Sequence, residues 1–333
     1  MVTRDDVAKR AGVSVAVVSY VMNNKNNVKE TTRQKVLQAI EELGYNPNQT
    51  ARSLKTKKTG QFGVLFNSLG NPFETGISLG LEERARQTGQ SLIFQTYIPS
   101  EEDKLRTIFM GRTDGLLLMG QSLKPETLVY FGKIGIPVYS ITTPAKAHSS
   151  VRCIDIDWRE AMFKLIEHLK SLGHTRIGFM AHSSLEHHLH VRFVHFLKAM
   201  EAHGLDFHQN DLLHGGGQLE MAYANMTKLL QKSRELPFTA IVGANDLMGI
   251  GMLSACKDSG LSVPRDLSVA ACENILMASH TTPGLTTLHY PRREIGFKAF
   301  DMIMQEAGSG GKAADYTMGC ELIVRLSTGE ARK

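Results

Sequence analysis

From Gln61 onward the chain alternates short apolar runs with longer amphipathic stretches, and that alternation is the tightest constraint on its fold. The runs FGVLF (62–66), SLIFQT (91–96), GLLLM (115–119), PVYSI (137–141), RIGFM (176–180), TAIVG (239–243) and LSVAA (267–271) have the length and composition of strands. Between them, stretches such as Ile77 to Gly89, Trp158 to Gly173 and Asp246 to Gly260 carry a helical period and end in glycine. Continuous apolar strands separated by helices predict parallel α/β sheets buried on both faces. Residues 60–333 are enough for two such lobes.

Composition narrows the setting. With 333 residues, 42% hydrophobic and 21% charged, the chain can bury real cores and is neither disordered nor collagen-like. No apolar run approaches the roughly 18 residues of a membrane span. The opening MVTRDDVAKR carries acids where a signal peptide would be apolar, so a soluble, cytoplasmic protein is expected. Cys153, Cys256, Cys272 and Cys320 are far apart and form no CxxC pair, so buried free thiols are expected in preference to a zinc site or disulfides.

The net charge of +5 is unevenly placed. Residues 1–59 hold eleven basic side chains against five acidic, a net of +6, which leaves −1 on the remaining residues. A short basic module ahead of a near-neutral body is the charge layout of a nucleic-acid binder. Within it, Thr3 and Asp6 are spaced for a capped helix ending at Gly12, with Val7, Ala8 and Ala11 as its apolar face. Ser14 caps a second helix whose Val18, Val21 and Met22 turn inward. A third helix presents Val36, Leu37, Ile40 and Leu43 and stops at Gly44. Two short helices joined by a tight turn, with a third closing the core, make either a helix-turn-helix or a generic small bundle.

The wording of the residues separates the two. DVAKRAGVSVAVVSYVMNN (6–24) followed by VKETTRQKVLQAIEELGYNPNQTARSLKTKKT (28–59) closely resembles, without gaps, the DNA-binding headpiece of the LacI/GalR family of transcription regulators. The resemblance continues through GRTDGLLLMG (111–120), LIEHLKSLGHTRIGFM (165–180), RFVHFLKAMEAHGL (192–205), TAIVGANDLMGIGML (239–253), PGLTTLHYP (283–291) and ELIVRLSTGE (321–330). It implies an all-α helix-turn-helix headpiece (1–46), a hinge helix or linker (47–59) and a two-lobed α/β core of the periplasmic-binding-protein-like type I kind, with parallel sheets (60–333). The lobes would comprise about 60–142 with 289–314, and about 157–274 with 324–333, with crossovers near 142–157, 274–288 and 314–324.

By the same resemblance, the second helix enters the major groove with Val15, Ala16 and Tyr20 at base edges, while Ser14, Ser19 and Asn24 suit phosphates. Val17 and Tyr20 depart from the usual Thr and from the Arg or His of several members, which favours apolar reading over bidentate reading of guanine. In the hinge segment, Arg52 adds charge and Leu54 is the family's wedge into central base steps. A segment so short is marginal alone, so linker and helix are its free and bound states. In the core the resemblance places Phe73, Glu74, Thr143, His188, Arg192, Asn245 and Glu273 around an effector at the strand ends. This donor, acceptor and aromatic set suits a sugar or a derivative, while three carboxylates near the cleft, counting Glu186, leave open a cationic or amino-bearing effector or no effector at all. Glu74 stands for a usual aromatic, Glu273 for a usual Asp and Trp158 for a usual Asn. For Glu74, Glu186 and His188 a solvated loop position is an equal alternative.

Eight of the 13 histidines fall between His182 and His214, where solvent-facing positions are expected and no metal motif appears. The triplet Gly215–Gly217 lacks the ending of a phosphate loop and is expected to end a strand. No nucleophile elbow or other catalytic constellation is present. The expected protein is therefore a regulator and not an enzyme, with no cofactor and no metal. It acts as a homodimer on double-stranded, pseudo-palindromic operator DNA, most simply as a repressor under a small sugar-like effector. A solute-binding receptor or an enzyme of sugar metabolism on the same core are the alternatives.

Overall fold

The computed structural model describes residues 2–23, 25–46, 56, 58–142, 151–182, 190–233, 236–309 and 314–332. The chain separates into two compact units, Met1–Thr59 and Gly60–Lys333.

The first unit holds helices α1 (Arg4–Ala11), α2 (Val15–Met22) and α3 (Glu30–Leu43). The Thr3 side chain accepts from the Asp6 amide while the Asp6 carboxylate accepts from the Thr3 amide, a reciprocal cap that fixes where α1 begins. Gly12 ends it at φ 66, a left-handed position that suits glycine. Val7, Ala8, Val18, Val21, Val36, Ala39 and Tyr45 form the core. Leu37 is not part of it: one residue from Val36 is about 100° around a helix, which turns Leu37 out to 50% exposure and brings Ala39 in.

The second unit contains two six-stranded sheets. The first is built from β1 (Gln61–Phe66), β2 (Ser91–Thr96), β3 (Leu116–Leu118), β4 (Val138–Ile141), β5 (Arg152–Ile156) and β11 (Tyr316–Met318), in the order β11-β5-β4-β3-β1-β2, all parallel. Its connections include α4 (Pro72–Gln87), α5 (Lys104–Phe109), α6 (Pro125–Lys133) and α11 (Arg292–Ser309). The second sheet is built from β6 (Ile177–Ala181), β7 (Leu212–His214), β8 (Ala240–Gly243), β9 (Ser268–Glu273), β10 (Thr286–His289) and β12 (Glu321–Ile323), in the order β12-β10-β9-β8-β6-β7. All its pairs are parallel except β12 against β10. It carries α7 (Trp158–Ser171), α8 (Val191–Ala202), α9 (Leu219–Lys232) and α10 (Asp246–Asp258).

All seven apolar runs are strands, and Gly215 follows directly on β7. The remaining five strands lack a continuous apolar run, and they move the lobe boundaries. The stretch expected as a crossover near 142–157 contains β5, which belongs to the first sheet, so the chain leaves that lobe only at Asp157. Likewise β10 extends the second lobe through His289, and β11 and β12 sit on either side of the third passage. Short strands such as RCIDI and TTLH keep polar residues because nearby groups pair with them. Thr286 hydrogen-bonds to Ser327, and Thr287 donates to Asp246.

Helices α4 and α11 meet at glycines. A Cβ on Gly80 would collide with the Arg293 carbonyl, and one on Gly296 with the Ile77 carbonyl, so the two backbones approach more closely than larger residues permit. That contact sets the height of the α4 N-terminus, which faces the groove between the lobes.

Candidate ligand cleft and nucleic-acid interface

Helix α2 sorts its side chains by period. Val18 and Val21 turn into the core, whereas Val15 (37% exposed), Ala16 and Tyr20 (38%) face outward. The Ser14 hydroxyl accepts from the Val17 amide at 3.4 Å, which starts the helix. Ser19 is half-buried, and its carbonyl accepts from the Asn23 side chain at 2.8 Å. The Lys25 ammonium lies 5.3 Å from the Tyr20 ring centroid, and the Arg33 guanidinium donates to the Lys25 carbonyl at 2.8 Å. A lysine and a tyrosine are thus presented together on the outer side. Asn24, Arg52 and Leu54 lie outside the described residues.

Between the two sheets, at the carboxyl ends of their strands, lies a cavity of about 780 Å³. The first lobe contributes Asn67 and Ser68 after β1, Phe73, Glu74 and Ile77 on α4, and Met119 and Gly120 after β3. The second contributes Trp158, His182 after β6, His190 and Arg192 at the start of α8, Gly216 to Glu220 after β7, Asn245 after β8, and Glu273 ending β9.

Arg192 sits at the centre and is buried with Glu273. Its Nη1 donates to Glu273 Oε1 at 2.8 Å and also to the Ala244 carbonyl. The guanidinium carbon lies 4.5 Å from the Trp158 ring and 5.7 Å from Phe73. Tyr290 meets the edges of both rings, at 5.2 and 5.5 Å. Burial, together with the nearby Asp246, pushes the Glu273 carboxyl up to about 7 against the pull of Arg192. Burial also raises Asp246, to about 6; its two oxygens accept from the Ile275 amide and the Thr287 hydroxyl, which ties the ends of β9 and β10 together.

His182 and His190 stack with centroids 4.5 Å apart and planes 18° apart. Burial and then the neighbouring Arg192 hold His190 down near 3, and burial, then His190 and Arg192, hold His182 well below the usual histidine range. Both rings are therefore neutral near pH 7. The expectation of solvent-facing histidines fails at these two positions, because β6 ends at Ala181 and delivers the next side chain into the cleft. No group of three potential metal ligands occurs among the described residues.

The sites inferred from the sequence divide in two. Phe73, Glu74, Arg192, Asn245 and Glu273 all line the cavity. Thr143 and His188, with Glu186, lie outside the described residues. Glu74 is not on a solvated loop: it is buried, and its carboxylate accepts from the Asn67 and Ser68 amides and the Asn67 side chain at 2.7–3.2 Å. Burial raises it nonetheless, those hydrogen bonds opposing. Asn245 is also committed, capping α10 through the Met248 amide and donating to the Gly217 carbonyl at 2.9 Å. Trp158, His182 and His190 were not anticipated as site residues. Trp158 had been marked only as standing for a usual Asn, and the two histidines only as members of the cluster between His182 and His214.

The backbone is strained where the lobes join. Thr142 (φ 67), Glu273 (φ 124) and Asn274 (φ 49) are non-glycine residues at positive φ, and all three lie at or beside the cleft. Arg292, the first residue of α11, donates to the carbonyls of Glu273 and Asn274 at 3.0 and 2.9 Å, and Arg325 donates to the Asn274 side chain at 2.7 Å.

Comparison with known proteins agrees with this geometry. The family model of bacterial regulatory proteins of the lacI family matches residues 3–48, and that of the periplasmic binding protein-like domain matches residues 166–328. Over 309 residues the chain is 33% identical to the HTH-type transcriptional repressor PurR of Actinobacillus pleuropneumoniae serotype 3 (strain JL03), covering 92% of this chain and 91% of the relative. It is 30% identical to catabolite control protein A of Priestia megaterium, covering 91% of each. The solved lac repressor dimer bound to operator and the anti-inducer ONPF superposes with a TM-score of 0.85, over 98% of this chain and 99% of that one, and at 24% identity it speaks to the fold. A complex of the transcriptional regulator CelR with cellobiose gives 0.70 at 25% identity, over 98% and 100%. With a matching headpiece, a matching core and relatives aligned almost end to end, this chain belongs to the LacI family of bacterial regulatory proteins.

Proposed function

We propose that the protein is a transcriptional repressor that binds a pseudo-palindromic operator as a homodimer and changes its grip when a small, sugar-like molecule enters the cleft. The observation that carries the reading is the pairing of an outward Val15–Ala16–Tyr20 face on a capped helix with a cavity of about 780 Å³ centred on a buried Arg–Glu pair. The cavity has the size of a small-molecule site, roughly 300–1,000 Å³. Val15, Ala16 and Tyr20 read base edges, Ser14, Ser19 and Asn24 meet phosphates, and residues 47–59, with Arg52 and Leu54, form the hinge at the minor groove. Phe73, Glu74, Thr143, His188, Arg192, Asn245 and Glu273 surround the effector. Ligand-dependent closure of the lobes alters the spacing of paired hinges, which links DNA and effector binding. Such a regulator works in the cytoplasm, at the nucleoid, and the relative from Actinobacillus pleuropneumoniae is named as a transcriptional repressor.

Selection of bound DNA from a random pool, with and without a panel of sugars, tests the reading. A two-fold symmetric sequence should be enriched and its recovery should change with one class of sugar. Enrichment of no sequence would end the headpiece assignment.

A further inference from the structure

Arg292 opens α11, a helix of the first lobe, yet its guanidinium is spent on the second. Nη1 donates to the Glu273 carbonyl at 3.0 Å and Nη2 to the Asn274 carbonyl at 2.9 Å, where β9 ends. A guanidinium presents its donors as a rigid planar fork, so two successive carbonyls must keep one orientation to be met together. Both belong to residues at positive φ, which non-glycine side chains keep only where their surroundings hold them. The other polar groups of Asn274 are also engaged. Its amide donates to the Thr287 hydroxyl at 3.2 Å, its side-chain nitrogen lies 3.1 Å from His289 Nδ1, and its side-chain oxygen accepts from Arg325 at 2.7 Å. Thr287, His289 and Arg325 lie on or beside the second sheet, whereas Arg292 reaches Asn274 from the first lobe.

The first lobe leaves room for that reach. Gly76 lies inside α4, where alanine would ordinarily suit a helix better. A Cβ there would come within 2.8 Å of Arg292 Nε and 2.9 Å of its Cδ, so the missing methyl is what lets the side chain pass. Arg293 and Asp301 of α11 pair with Glu83 and Arg84 of α4, which makes the two helices one body. Glu273 therefore faces two ways: Arg292 holds its carbonyl from the first lobe, while its carboxylate meets Arg192 in the cleft.

We infer that Arg292 is a positioning residue, a latch between the lobes that fixes the Glu273–Asn274 backbone, sets the angle at which the lobes meet and keeps the Glu273 carboxylate on Arg192. Its effect on DNA rests on the reading that lobe closure moves the paired hinges; the latch itself does not.

The test uses the full-length protein with no ligand added. Trp158, the single Trp, is buried beneath Arg192 and against Tyr290, so acrylamide quenching of its fluorescence reports parting of the lobes in the folded state. Arg292→Ala should raise the quenching constant about threefold. Arg292→Lys should raise it less, because an ammonium keeps the charge and loses the fork. Gly76→Ala pushes the guanidinium aside without removing it and should also raise quenching, but should add nothing to Arg292→Ala. A residue that only stabilises the fold would lower the melting temperature and leave Trp158 as shielded as in wild type below the transition. That outcome overturns the inference, as does additivity of the Gly76 and Arg292 substitutions. If Arg292→Ala does not fold, Gly76→Ala and Arg292→Lys decide it by the same shielding criterion. Titration of the variants on the DNA sequence recovered from the random pool separates the two levels. Raised quenching with unchanged operator affinity leaves the latch in place and removes the link between lobe closure and DNA.

Discussion

Arg192 is held before any ligand arrives, by Glu273, by the Ala244 carbonyl and by the face of Trp158. Arg192→Ala would leave the Glu273 carboxylate buried without its cation, a loss of roughly 3–5 kcal/mol in unfolding free energy by urea titration. Replacing both partners, Arg192→Met with Glu273→Leu, should recover most of that stability while abolishing ligand response. Trp158 is the single Trp and lies directly under the guanidinium, so its fluorescence follows both unfolding and ligand entry. His190 has a second, pH-linked signature. Its folded-state pKa lies near 3, below the usual histidine value, so the unfolded chain takes up the proton more readily and stability falls as pH drops from about 6.5 toward 3. Urea titrations of His190→Gln across that window should show a flatter loss than wild type; an equal slope would mean the ring is not held neutral. Arg192 and Glu273 were placed at the strand ends by resemblance to the family, while their mutual ion pair became visible only in the structure. The tasks of Glu74 and Asn245 were not legible either, since which backbone amides a carboxylate or amide side chain will satisfy depends on loops closed by residues far apart in the chain.

At the level of elements, the closest fit is the glycine contact between α4 and α11. Alanine normally favours a helix over glycine by about 1 kcal/mol, but at Gly80 and Gly296 the added methyl meets a carbonyl of the facing helix. Both alanine variants should lower the melting temperature of the core. Gly132, near the end of α6, has open space where its Cβ would be, so Gly132→Ala should instead stabilise by roughly 0.5–1 kcal/mol. A loss at Gly132 matching that at Gly80 would remove packing as the cause. The apolar runs announced themselves by composition because β1, β3, β4, β6, β8 and β9 are buried almost throughout, whereas β2 lies at a sheet edge and is only partly covered. β5, β7, β10, β11 and β12 did not announce themselves, being three to five residues long with polar side chains among them. That is why the stretches read from the sequence as crossings, 142–157, 274–288 and 314–324, took in strands that belong to the lobes themselves.

For the whole molecule, the two units have separate cores, so damage to one should leave the other folded. Val36→Ala opens a void in the small helical core and should abolish operator binding while leaving ligand-induced stabilisation of residues 60–333 intact. Loss of both together would show that the cores fold as one. Operator affinity should also fall steeply with salt, the slope of log K on log salt growing by roughly 0.9 for each phosphate neutralised; a flat response would contradict binding through the basic segment. The sheet order has one more consequence, for synthesis. Residues 1–59 form a unit as soon as they emerge, whereas residues 316–323 supply an edge strand to each sheet. Neither lobe is whole until that segment has left the ribosome. A ribosome that stalls before residue 316 therefore releases the first unit without a completed second one, so regulated repression depends on translation running through the last strands of both sheets.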